Sequence, residues 1–238
     1  MRSFDLYVAL GDSMSIDTYA GAPGLGAASL LFRNDDRVWP QFRGVDLVSA
    51  SPEARFIMRA EDGDTSVEME NAIDALWPEP EIAAGRTLVT ITIGGNDLLT
   101  LAASPDPLGA APTFLPALSA RLSRCLERLQ TLYNKPLIVL GNIYDPTDGT
   151  GVMQSGNDLS VGMPLLAAVN RLLAEIAAKH DVRLADTHAR FLGHGVRHAD
   201  RAFTHYHGED PSGWYVLDIE PNARGSSEIR RLFLEAIA

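Results

Sequence analysis

Three short segments of this chain hold the groups that acyl transfer to a hydroxyl requires: a nucleophile and fixed donors for the oxyanion of a tetrahedral intermediate. Gly11-Asp12-Ser13 closes the first apolar run, Leu6 to Leu10. A serine on the sharp turn leaving a buried strand presents its hydroxyl at the carboxyl edge of a sheet, where open α/β folds bind ligands. Ser13 is therefore a candidate nucleophile. Gly94-Gly95-Asn96-Asp97 follows the apolar run Leu88 to Ile93 and turns at the same edge. The Asn96 amide is a neutral donor of the kind that stabilises an oxyanion without being consumed. Gly63, within Glu61-Asp62-Gly63-Asp64-Thr65, supplies a bare backbone N–H that a ligand can approach closely. Taken singly, these are a turn serine, a Gly-Asn turn and a loop glycine ahead of a helix cap. Their order, each behind its own strand, makes the chemical case.

The three blocks resemble those of the SGNH hydrolases, the GDSL esterase and lipase family. The resemblance implies Ser13 as nucleophile of a serine esterase that works through an acyl-enzyme. It implies an oxyanion hole from the Ser13 and Gly63 backbone N–H groups and the Asn96 side chain. It also implies a flavodoxin-like three-layer α/β/α sandwich with a five-stranded parallel sheet in the order 2-1-3-4-5. A fourth block departs from the pattern. Where the family has aspartate-any-any-histidine followed by proline, this chain reads Leu217-Asp218-Ile219-Glu220-Pro221-Asn222-Ala223-Arg224-Gly225. Pro221, Asn222 and Gly225 keep the frame, which puts Glu220 in the histidine's place and Leu217 in the aspartate's. Asp218 is one residue out of register.

Two repairs are chemically open. Glu220 can serve as base if burial raises its pKa, since an ordinary glutamate near about 4.3 is a feeble acceptor for a serine proton. Alternatively a histidine from the inserted segment Gly193 to Gly213 reaches Ser13, and Glu220 orients it. That segment holds His194, His198, His205 and His207, four of the six histidines. We favour the histidine, because an imidazole titrating near about 6.5 needs no tuning to act; His205 and His207 lie nearest to Glu220 in sequence and His194 follows most directly from the last strand, so all three stay candidates. The four-residue spacing of His194 and His198 matches that of two zinc ligands on a helix. Gly193 and Gly195 oppose a helix there and no cysteine accompanies them, so no metal and no cofactor are expected. A different class of function keeps the same fold and uses the pocket to hold a ligand without catalysis. A nucleotide binder is disfavoured, because no turn carries the glycine-rich phosphate fingerprint with its following acidic residue.

These residues need a scaffold, and the chain has one. Short β-rich runs near Asp5–Leu10, Arg55–Arg59, Thr87–Ile93, Pro136–Gly141 and Val182–Ala185 alternate with helical periodicities. Apolar residues from Leu115 to Tyr133, from Leu165 to Ile176 and from Ile229 to Ile237 recur at three- and four-residue spacing. Weaker helices are expected after Trp39-Pro40 and over Ser66 to Leu76. With 238 residues and 46% apolar content the whole chain reads as one domain, carrying the His-rich insertion at about 193–213. Its formal net charge of −11 argues against nucleic acid and anionic membrane surfaces and leaves a small-molecule ester as the expected partner. The first strand begins at once, no apolar run approaches the ~18 residues of a span, and Cys125 has no partner, so a cytoplasmic location is expected. Tyr206 and Trp214, in and beside the insertion, are candidates to line an acyl or sugar pocket.

Overall fold

The computed structural model describes residues 2–238. Five parallel strands form one sheet in the order β2-β1-β3-β4-β5: β1 Leu6–Gly11, β2 Arg55–Ala60, β3 Thr87–Thr92, β4 Leu137–Gly141 and β5 Arg183–Ala185. Strands β1 and β3 are buried along their whole length, as apolar runs between two helical layers must be. Side chains alternate between the layers. Leu6, Val8 and Leu10 join Val89 and Ile91 in one core, and Tyr7 and Ala9 join Leu88 and Val139 in the other. The first layer holds α3 (Ser66–Asp74), α5 (Gly95–Ala102), α6 (Pro107–Leu132) and α7 (Met163–Lys179). The second holds α1 (Ala27–Phe32), α2 (Leu47–Ala50), α8 (Thr187–Phe191) and α9 (Ala223–Ile237). The short α4 (Pro80–Ala84) precedes β3, and a two-stranded hairpin, β6 (Tyr215–Val216) and β7 (Glu220–Pro221), leads into α9. This is the flavodoxin-like α/β/α sandwich that the resemblance implies.

Three local expectations need correction. Helix α6 starts at Pro107 rather than near Leu115, because Asp106 caps it by accepting the Gly109 N–H at 2.9 Å. Pro112 and Pro116, inside the helix, break the apolar spacing that would have revealed its first half. After Trp39-Pro40 there is only a 3-10 turn, Pro40–Phe42, since Gly44 at φ +72° turns the chain away. The stretch Ser160–Lys179 does reach the length and mean hydropathy of a membrane span. Its apolar face, including Leu165, Val169, Leu173 and Ile176, is packed into the first core.

The carboxyl ends of β1 and β3 sit side by side, with Gly11 paired to Thr92. Gly11 has φ +127°, and a Cβ there would lie 1.9 Å from the Thr92 carbonyl oxygen. Only glycine permits this approach, and the approach brings Ser13 and Asn96 to one edge.

Candidate active site

The turn after β1 is bolted to β3. The Asp12 N–H donates to the Thr92 carbonyl at 2.9 Å, and the Ser15 and Thr92 hydroxyls meet at 2.9 Å. The Asp12 carboxylate accepts the Met14 N–H at 3.1 Å, which folds the turn around Ser13. Ser13 then stands half-buried on the wall of a cavity that Asp12, Met14, Gly95 and Asn96 also line.

Asn96 is placed by the start of α5, which Gly94 enters from a left-handed conformation at φ +105°. Its Nδ2 donates one hydrogen to the Asp64 carbonyl at 2.9 Å and keeps the other N–H free for a ligand. The neighbouring Asp97 carboxylate accepts from the Ser66 N–H at 2.8 Å and the Ser66 hydroxyl at 2.5 Å. Together these bonds tie the loop after β2 to the start of α5. Gly63 sits on that loop, exposed, at φ +80°, with open space where a side chain would be. It does not itself line the Ser13 cavity.

Glu220 arrives from the other side. The Asn222 side chain caps α9, accepting from the Arg224 N–H at 2.9 Å and the Gly225 N–H at 3.1 Å, and donates to the Gly213 carbonyl at 2.9 Å. The Tyr144 hydroxyl donates to the Ile219 carbonyl at 2.7 Å. These bonds hold the start of β7, and Glu220 is only 8% exposed, with the Ser13 hydroxyl near enough to act on its carboxylate. Burial raises its pKa above the ordinary carboxylate range, the Ser13 hydroxyl opposes that, and the nearby Asp62 charge adds to it. Its Oε2 has no hydrogen-bond partner among the described residues.

The structure thus brings Ser13 and Asn96 to one cavity, sets Glu220 near Ser13 but outside the lining of that cavity, and leaves the three candidate histidines in their own loop. His194 is buried between the rings of Trp214, 3.4 Å away, and His207, 4.4 Å away, and its Nδ1 donates to the Ser212 carbonyl at 3.1 Å. His207 donates to the Leu192 carbonyl at 3.0 Å. His205 is exposed and lies edge-on to Phe203. None of the three lines the Ser13 cavity. Their rings are held by aromatic stacking and by carbonyls that only an N–H can satisfy. Trp214 packs against His194 and Phe191 rather than lining that cavity, and Tyr206 does not line it either.

Two acidic groups whose charges interact with that of Glu220 are not signalled as functional by the sequence. Asp62 is exposed and accepts the Tyr19 hydroxyl at 2.7 Å. Asp12 is 2% exposed, and burial lifts its pKa from 3.8 to about 7, against the hydrogen bonds from Met14 and Thr92, with the Glu220 charge adding to the rise. No spacing rule signals either group.

The Asp12 shift carries a stability consequence. Folded Asp12 keeps its proton up to about pH 7, while the unfolded chain gives it up near 3.8, so stability falls as pH rises through that window. Asp12→Asn should match the wild type near pH 4 and exceed it at pH 8, by at most about 4 kcal/mol. Thermal unfolding at the two pH values checks this; equal Tm differences at both would contradict it.

The sandwich and the serine-bearing edge define an ester hydrolase of SGNH type. A sequence profile of the GDSL-like lipase/acylhydrolase family matches residues 9–226, and the chain belongs to that family. No curated protein matches the sequence. Among solved structures, a phospholipase A1 from Streptomyces albidoflavus NA297 is similar at 20% identity and TM-score 0.61, covering 98% of this chain and 100% of its own. An acetylxylan esterase from Geobacillus stearothermophilus is similar at 17% identity and TM-score 0.62, covering 99% and 95%. An extracellular lipase from Streptomyces rimosus is similar at 20% identity and TM-score 0.60, covering 97% and 99%. At these identities the likenesses speak to the fold.

Proposed function

We propose that this chain hydrolyses a carboxylic ester through an acyl-enzyme on Ser13, with Glu220 as the general base. The observation that carries the reading is Glu220 itself, buried beside the Ser13 hydroxyl at the position where the family pattern has histidine, with one carboxylate oxygen unpartnered among the described residues. The Ser13 Oγ attacks the ester carbonyl as its proton passes to Glu220. The oxyanion is met by the Ser13 and Gly63 backbone N–H groups and by the free N–H of Asn96. Collapse returns the proton to the departing alcohol, and a water deprotonated by the same carboxylate then releases the acid. A buried carboxylate is a stronger base than an exposed one, which makes Glu220 competent without an imidazole.

A fluorophosphonate probe tests the reading, because it phosphonylates an activated serine. The expected result is one adduct per chain, mapped to Ser13 by peptide mass spectrometry. A chain that binds esters yet forms no adduct would instead be a binding protein using the same pocket. Asn96→Ala should lower kcat by about 10²- to 10³-fold, the usual cost of losing one oxyanion donor. Turnover of p-nitrophenyl butyrate reads this directly, and an unchanged kcat would remove Asn96 from the oxyanion hole.

A further inference from the structure

The cavity beside Ser13 continues away from the nucleophile as an apolar trough. It encloses about 100 Å³, and its walls are mainly aliphatic and thioether side chains, including Leu98 and Leu99 of α5, Ile143 after β4, and Met163 and Leu166 of α7. A second, more open hollow of about 460 Å³ adjoins it: Leu99, Ala102, Met153, Leu159 and Ile219 line both, and Asn157, Asp158 and Asp218 add polar groups to the second. Leu217 lines the second hollow and not the first, 77% exposed and held at φ +47° in the turn between β6 and β7. A leucine gains nothing from exposure and is strained in that backbone region. It occupies the position where the family pattern has an aspartate.

The two ends of an ester need different surroundings. On the proposed reading of Ser13 and Glu220, the alcohol departs on the side of the base, where Glu220, Asp62 and Tyr19 gather charge and hydroxyl groups. The acyl chain is then directed the other way, into the apolar trough. A dry cavity of about 150 Å³ accepts benzene, so the first hollow takes roughly four carbons and a longer chain must run on past Leu99 and Met153 into the second.

We infer that the two hollows form one acyl-binding trough and that the substrates are esters of unbranched medium-chain acids, about eight carbons long, with Leu217 covering the distal carbons. This rests on the esterase reading for its catalytic meaning, but binding tests it separately. Each methylene fully enclosed strengthens binding by up to about fourfold. Titration calorimetry with octanamide and butyramide, neutral analogues of the acyl half, should show octanamide binding at least about tenfold tighter. Leu217→Asp sits on the surface in a conformation that aspartate tolerates. It should weaken octanamide several-fold and leave butyramide unchanged. Ala102→Trp, placed where the two hollows meet, should abolish the preference. If octanamide binds no tighter than butyramide, or if both variants keep the preference, the trough is not an acyl site. If the preference holds while Ser13 takes no fluorophosphonate, the trough stands and the esterase reading falls. If Ser13 is labelled and acetate and octanoate esters turn over alike, the esterase reading stands and the trough falls.

Discussion

Glu220→Gln should lose ester hydrolysis by about 10²- to 10⁴-fold, the range that a positioned general base supplies. The substitution keeps the shape of the side chain and removes only its capacity to take a proton. Folding should not suffer. Burial already raises the Glu220 pKa above its unfolded value, so at neutral pH the ionised carboxylate costs stability that the amide does not. The variant should therefore melt no lower than the wild type at pH 7 while being nearly inactive. Wild-type activity should decline as pH falls through the raised Glu220 pKa, because the protonated acid cannot accept from Ser13. His205→Ala should retain its activity, since His205 is exposed and touches Phe203 rather than the cavity. Rates with p-nitrophenyl butyrate across pH for the three proteins check this together. An active Glu220→Gln with a dead His205→Ala would reverse the assignment.

Ser13→Ala should be the most damaging single change, with a loss of at least about 10³-fold and more where background hydrolysis is slow. Nothing in the fold depends on its hydroxyl: the turn is held by Asp12, Met14, Ser15 and Thr92. The informative comparison is the double variant. Groups that act as one unit are not additive, so Ser13→Ala with Glu220→Gln should be no slower than Ser13→Ala alone. A further loss equal to that of Glu220→Gln in the wild type would mean that Glu220 acts on something other than Ser13.

The sheet was legible because its strands are short apolar runs bounded by glycine, proline and aspartate, and the structural bounds of β1 to β5 differ from the expected ones by a residue or so. Their order came from the family resemblance, since apolar runs alone do not say which strand pairs with which. Helix α6 was half hidden because its first turns carry prolines and few core residues. At the site, Ser13 and Asn96 follow from strand ends, and the register of Pro221, Asn222 and Gly225 places Glu220. The preference for a loop histidine rested on imidazole chemistry alone. What decides where those rings go is the stacking of His194 on Trp214 and the carbonyls of Ser212 and Leu192, long-range packing that no spacing in the sequence encodes. The pocket walls were equally hidden: Leu99, Met153 and Ile219 come from three distant segments and meet only in the folded chain.

The central claim is that Glu220, in place of a histidine, activates Ser13. The second-order rate constant for fluorophosphonate labelling of Ser13 measures that activation without relying on any choice of ester. Wild type and His205→Ala should label at the same rate at pH 7, and Glu220→Gln at least about 10²-fold more slowly. Equal labelling of Glu220→Gln and wild type would contradict the account.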